Sequence, residues 1–438
     1  MKSQFFELAD ALRKVLRGGE ILLCYLSAER SDFVRFNKAL VRQAGTVEQR
    51  YLSIRLIRAQ RQASANIALA GSSDDVERAR GALERLRDVL TQLPEDPWLL
   101  IAEQPNSTVS ERRAQLAGTQ DVVERVTTAA RGSDFVGFYA AGTVYRGFAN
   151  SYGQNNWHEV DTFNFDWSVH LRADKAVKDG FAGFQWDTGS FDAKLRRSVE
   201  KLELLNREPV TVRPGEYRAY FAPRALEEVT GLLQWDAFSA RALATRQSPL
   251  LRMEHGARLS PKVTLTENLD SGIAPRFQHD GFVRPDKVSL IASGALVGRL
   301  VSPRSAKEYG LETNGANSRE SPESLELAPG DLRADDVLGA LDTGLYIGNL
   351  WYLNFSDRPA GRITGMTRFA TFWVEGGQLV APVTPVRFDD TIYRMLGENL
   401  VDLTAERELL LSTSTYDERS TASSHLPGAL IGSLRFTL

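Results

Sequence analysis

At 438 residues, with 42% hydrophobic and 25% charged side chains, the chain exceeds what one core usually supports and has the composition of a folded protein of two domains. Lys and Arg total 53 against 56 Asp and Glu, and a net charge of -3 gives no global attraction to nucleic acid or to an anionic membrane. No stretch reaches the ~18 uninterrupted apolar residues of a membrane span, and a single cysteine, Cys24, excludes an intramolecular disulfide and a multi-cysteine zinc site, so the expected address is the cytoplasm.

The N-terminal MKSQFFELADALRKVLRGG reads as an amphipathic helix of the mature chain, since acidic residues are mixed into it and it has neither an apolar h-region nor a small-residue cleavage site. EILLCYL, DFVRFNKALVRQAG and VEQRYLSIRLIRAQRQASANIAL alternate and are rich in β-branched and aromatic residues, which predicts an antiparallel meander. In DDVERARGALERLRDVLTQL, Val76, Ala79, Leu83, Leu86, Leu90 and Leu93 recur at spacings of three and four behind an Asp74 to Glu77 capping box. That stripe is expected to pack on the meander; it is too short for a coiled coil. LPEDPWLLIAEQPNSTVSERRAQLAG reads as a crossing loop and TQDVVERVTTAARG as a second helix. DFVGFYAAGTVYRGFANSYGQ leads into strands around TFNFDWSVHLRA and AGFQWDTGS, the helix FDAKLRRSVEKLELLN and the short strand EYRAYFA.

From about 223, APRALEEVTGLLQWDAFSARALATRQS reads as largely helical, and strands dominate from 262. The expected fold class is therefore α+β, with an α/β domain of antiparallel strands and helices at 1–222 and a β-rich, sandwich- or barrel-like domain at 223–438. TLTENLD and DKVSLIASGALVGRLV read as strands, the latter a hairpin turning at Ser293-Gly294, and 313–332 as a polar loop. GLYIGNLWYLNF (344–355) and GRITGMTRFATFWVE (361–375), joined by SDRPA, predict a further hairpin. Its first run carries Tyr346, Leu350, Tyr352 and Asn354 on one parity and Ile347, Trp351, Leu353 and Phe355 on the other, so the expected strand is covered on both faces.

No P-loop, dinucleotide-binding glycine fingerprint or G-x-S-x-G elbow occurs. The five histidines are His158, His170, His255, His279 and His425, and three adjoin a carboxylate, as His158-Glu159, Glu254-His255 and His279-Asp280. Neighbours in sequence point to different sides of a strand or helix, so such pairs seldom share a metal. With no H-E-x-x-H or close variant, surface or hydrogen-bonding histidines are the expectation. Asp236, beside Trp235 on the predicted helix, is expected to be a partly exposed helix carboxylate rather than an acid or base.

Several stretches in order resemble the TldD/PmbA family, whose PmbA branch is also called TldE. They are LLQWDAFSARALATRQSPLL (232–251), DGFVRPDKVSLIASGALVGRLVSPRSAKEYGLETNGANSR (280–319), TGLYIGNLWYLNFSDRPAGRITGMTRFATFWVEGGQLVAPV and the tail HLPGALIGSLRFTL, with weaker support from RGFANSYG (146–153). The resemblance implies an α/β N-terminal domain, a β-rich C-terminal domain and a two-subunit assembly that cleaves peptides. In that family the TldD-type subunit holds zinc on a helical His-Glu-x-x-x-His motif with a late cysteine. Here GLLQWDAFSARALATRQS has no histidine and SSHLPGALIGS no cysteine, so no metal ligand and no catalytic residue carries over. The departure fits the PmbA branch, the non-catalytic partner of the zinc subunit.

The resemblance thus implies a PmbA/TldE-like, catalytically silent subunit of a heterodimeric zinc metallopeptidase acting on unfolded or extended peptide. Zinc is expected only in the TldD-like partner, and no cofactor in this chain. A stand-alone homodimeric peptide-binding or scaffold protein is the alternative; a hydrolase using Glu254, His255 and Asp280 is a third. Trp351, Tyr352, Asn354, Arg362 and Arg368 are the candidate substrate-channel or interface residues, with packing the competing role for the two aromatics.

Overall fold

Two β-sheets organise the chain, one of seven strands and one of thirteen among the residues that the computed structural model describes, 1–172 and 175–437. The first half runs α1 (Lys2–Arg13), β1 (Ile21–Asn37), β2 (Leu40–Arg58), β3 (Arg61–Ala68), α2 (Asp74–Leu90), β4 (Val109–Arg112), α3 (Thr119–Ala129), β5 (Asp134–Asn150), β6 (Asn155–Arg172), β7 (Lys175–Gly183) and α4 (Thr188–Leu204). The predicted meander is β1–β3, and the sheet order is β3-β2-β1-β5-β6-β4, with β7 also on β6. Period-two alternation assigns the faces. Leu22, Cys24, Leu26 and Ala28 of β1 pack under α1 and α2, while Val34 and Phe36 join Val126 of α3 and Phe191 of α4. All four helices thus cover one face.

The amphipathic stripe of α2 buries Ala79, Leu83, Leu86 and Leu90 on the meander as expected, but the capping box does not form. The Asp75 carboxylate instead accepts from the backbone N–H of Ala70 and Gly71, at 2.9 and 2.7 Å, and fixes the turn before the helix. The expected crossing loop conceals β4, which pairs in parallel with β6 from Val109 to Arg112.

The second half runs β8 (Gly215–Phe221), α5 (Pro223–Leu233), α6 (Ala240–Ala244), α7 (Leu251–Glu254), β9 (Leu265–Asn268), β10 (Lys287–Ala292), β11 (Ala295–Leu296), α8 (Pro303–Tyr309), β12 (Ser324–Leu327) and α9 (Val337–Leu341). It continues with β13 (Gly344–Ile347), β14 (Leu350–Asp357), β15 (Arg362–Thr367), β16 (Thr371–Glu375), β17 (Gln378–Pro382), β18 (Arg387–Thr391), β19 (Leu400–Leu411) and β20 (Ser423–Phe436). The long predicted helix from 223 ends at Leu233, because Asp236 takes a left-handed backbone with φ 64°. The turn at Ser293-Gly294 forms as expected, with both residues at positive φ. The apolar face of α5, with Leu226, Val229 and Leu233, joins Ala429, Ile431 and Leu434 of β20 in the main core of this half.

The expected two-stranded hairpin is one hairpin bent at Gly348-Asn349. Its inner half, β13 with β16, lies inside the large sheet, and its outer half, β14 with β15, continues beyond the bend. Covering on both faces is not observed. Trp351 is 46% and Tyr352 74% exposed, and among the described residues β14 pairs on one side alone. The bend separates the buried Ile347 from the surface aromatics, so apolar parity does not reveal which part of the run is core.

The loop between β19 and β20 lies on the helix-free face of the first sheet. Arg419, buried there, donates to the carbonyls of Gly142 (3.1 Å) and Thr162 (3.0 Å) and to the hydroxyls of Thr162 (2.6 Å) and Ser31 (3.4 Å). Gly142 has φ 141°, and a Cβ there would stand 2.2 Å from the carbonyl oxygen of Arg30, so that position requires glycine. Burial lowers Arg419 to about 10, against the opposing pull of Glu29. Replacing Arg419 with Met strands these acceptors and removes the charge that faces the buried Glu29, whose bonds to Ser31 and Gln49 remain, and should cost roughly 3–5 kcal/mol. Urea unfolding of the R419M chain measures it, and a loss below about 1 kcal/mol contradicts this role for the guanidinium.

Candidate functional site

Where the two sheets face each other beside α4, a cleft of about 480 Å³ opens. Asp187 caps α4 by accepting from the Ser190 N–H at 2.7 Å. The helix turns Phe191, Leu195 and Ser198 inward. Lys194, Arg197 and Lys201, at spacings of three and four, line the cleft from the neighbouring face. Opposite stand Tyr220 of β8, Tyr346 and Asn349 at the hairpin bend, and Glu406 to Glu408 of β19.

The charges are only partly neutralised. Lys194 pairs with Glu408 and lies 3.8 Å from Asp179, and Arg224 bonds Asp166 at 3.1 Å. Burial depresses the Lys194 ammonium below the usual lysine range while Asp179 opposes it, and burial raises the Asp166 carboxyl against the pull of Arg224. Beside them Glu227 of α5 is pushed up to about 7 by burial, with Arg224 opposing. Lys201 donates to the Tyr346 hydroxyl at 3.0 Å, its ammonium 4.7 Å from the ring centroid. Among the described residues neither Arg197 nor Lys201 makes an ion pair. The Asn349 carboxamide oxygen is buried without a hydrogen-bond partner. Such a cleft can bind a polar, anionic group; Glu227 lies behind Arg224, outside its lining.

The residues singled out in the sequence lie around the hairpin. The Arg368 guanidinium stacks 4.2 Å over Trp351 and 5.3 Å from Phe369, and a small cavity of about 170 Å³ opens against Arg368, Trp351 and Thr371. Arg362 pairs with Asp389 across β15–β18 at 3.2 Å, and Asn354 is exposed, its carboxamide accepting from the next N–H. Tyr352 is exposed, touching Trp351 at a ring-centroid distance of 5.7 Å, and has φ 57°, a conformation costly for an aromatic residue. Asp236 lies beyond the helix and pairs with Arg358 at 2.8 Å.

The histidines do not converge. His158 is buried, its Nε2 3.0 Å from the Ile273 carbonyl, and burial holds it down at about 4, hence neutral. His279 stacks on Tyr25 at 3.7 Å, His425 lies 3.9 Å from Glu326, and His255 ends a one-turn helix at the surface. Glu254 faces Arg299 and Asp280 pairs with Arg55, so the three residues of the hydrolase alternative form no shared site. Cys24 lies in the core, its thiol pushed up to about 12 by burial. Among the described residues no three of His, Cys, Asp or Glu are gathered to hold a metal ion, so the donor set does not fit a resident zinc. The cleft itself escaped the sequence reading. Its one local signal is the cationic 194/197/201 spacing within the α4 segment.

Residues 214–438 match the family model for the PmbA/TldA metallopeptidase C-terminal domain. No curated protein matches the chain. Several solved structures share its fold. TldE from Thermococcus kodakarensis superposes with a TM-score of 0.80 at 18% identity, over 98% of this chain and 100% of the other. A candidate DNA-gyrase modulator from Thermotoga maritima gives 0.79 at 15%, over 99% and 100%. Another from Bacteroides thetaiotaomicron gives 0.78 at 17%, over 100% and 98%.

A raised carboxyl has a definite pH signature. Glu227 carries its proton in the folded chain up to about 7 but releases it near 4.5 once unfolded, so its contribution is full below 4.5 and is lost as pH rises through 7. Glu227→Gln should remove that loss. The melting-temperature difference, variant minus parent, should grow from pH 5 to pH 8, and a flat difference contradicts the assignment.

Proposed function

The chain belongs to the TldD/PmbA family, and from that premise we propose that it is a PmbA/TldE-like, non-catalytic subunit of a heterodimeric zinc metallopeptidase. The observation that carries this reading is the lack, among the described residues, of any clustered donor set for the metal the family's chemistry uses. On this reading a TldD-like partner supplies the zinc and the hydrolytic step, while this chain shapes the space that receives unfolded or extended peptide in the cytoplasm. Residues 1–222 and 223–438 act as its two domains.

The outer hairpin is the proposed contact. A strand paired on one side has backbone donors and acceptors available for a partner strand, and β14 carries Trp351 and Tyr352 beside that edge. Arg368 holds the Trp351 ring in place. Asn354 and Arg362 form the polar flank. Two copies of this chain joined through the same edges would give the homodimeric scaffold instead.

Purifying the chain from its own cells separates the readings. A stoichiometric second chain bearing zinc supports the heterodimer, and recovery as a dimer of this chain alone overturns it. A Tyr352→Lys variant should leave the thermal melt within the equivalent of about 0.5 kcal/mol, because the side chain is exposed in the free subunit. It should weaken assembly in sedimentation by burying an unpaired charge. Unchanged assembly removes the hairpin from the interface.

A further inference from the structure

We infer that the cleft beside α4 captures the C-terminal residue of a peptide, binding an α-carboxylate and the amide N–H of the same residue together. Lys201 and Arg197, one helical turn apart, have no carboxylate partner among the described residues, whereas their neighbours Lys194 and Arg224 do. An anion entering the cleft therefore meets these two uncommitted cations on α4, one already oriented by the Tyr346 hydroxyl, with Lys178 of β7, also unpaired among the described residues, at the rim. The second requirement comes from Asn349. The residue is 8% exposed and its carboxamide oxygen has no donor, which is costly unless a ligand supplies one. A simple anion with no donor, such as acetate, would leave that oxygen unsatisfied. An N-acylated α-amino carboxylate carries both groups on one carbon. Val337, Leu338 and Leu379 line the same cleft and suit an apolar terminal side chain.

The inference goes beyond the subunit reading, because this chain alone builds every wall of the cleft, and the test uses the full chain without a partner. Failure to find a zinc-bearing subunit would leave the binding result standing, and failure of binding would leave the subunit reading intact. Titration calorimetry compares an extended peptide ending in leucine as the free acid, its C-terminal carboxamide and N-acetyl-leucine. The free acid should bind at least tenfold more tightly than the carboxamide, and N-acetyl-leucine should compete with it. Lys201→Met should reduce free-acid affinity toward that of the carboxamide without altering carboxamide binding. Asn349→Leu should weaken both peptides at least fivefold while leaving the melting temperature unchanged or higher, since it removes an unpartnered buried oxygen. Equal affinity for acid and carboxamide, free-acid binding untouched by Lys201→Met, or no free-acid binding to the unaltered chain overturns the inference.

Discussion

A buried guanidinium sets how the two sheets meet. Arg419, at the tip of the β19–β20 hairpin, carries a charge into the face of the first sheet that has no helices, and a charge so placed needs every donor met. Four acceptors on three strands of that sheet, Ser31, Gly142 and the two oxygens of Thr162, fix its position. Arg146 reinforces the join by donating to the Arg419 carbonyl at 3.2 Å and pairing with Glu418. Apolar contacts of Phe277 with Leu23, Ile57 and Phe148, and of Ile273 and Leu411 with Val144 and Val160, complete it. Apolar packing tolerates small rotations, whereas a fan of directional hydrogen bonds does not. The cleft beside α4 takes its walls from both sheets, and there the Lys194–Glu408 and Arg224–Asp166 pairs join them directly.

The bent hairpin applies the same economy at the other side of the cleft. Before the bend, Leu345 and Ile347 pack in the main core; after it, Trp351 and Tyr352 face outward. Tyr352 and Phe369 both take left-handed backbone, with φ 57° and 61°, at a cost on the order of 1–3 kcal/mol each. Arg368 stacks on the half-buried Phe369, and Tyr352, 74% exposed, touches Trp351 at a ring-centroid distance of 5.7 Å, so little in the free chain offsets the strain at Tyr352.

Much of the first half was legible because its signals are local. Parts of β1 and β2 alternate, as at Cys24–Leu26 and Leu52–Leu56, and α2 carries its stripe over the full helix. β4 was not legible, since four residues in a polar segment become a strand through pairing with β6 rather than through their own pattern. The largely helical reading from 223 is interrupted at Asp236, whose left-handed backbone no propensity announces, and resumes in α6. The family pattern in the second half was legible in the order of its motifs. The cleft was not, because Lys201, Tyr346 and Asn349 come from distant segments and acquire a common environment only when the sheets dock. The five site residues drawn from the sequence sit on the outer hairpin and around its bend, whereas the unpartnered polar groups sit inside, on residues that looked ordinary.

The central claim is that this chain contributes a binding surface and no hydrolytic metal of its own. The most direct measurement is elemental analysis of the full chain after incubation with equimolar zinc and gel filtration, paired with hydrolysis of an unfolded polypeptide by the same sample. A tight site needs three or four convergent donors, and none is assembled among the described residues. The account predicts far less than one retained zinc per chain and no cleavage; about one tightly held zinc per chain, with peptide bonds cut by the isolated chain, would contradict it.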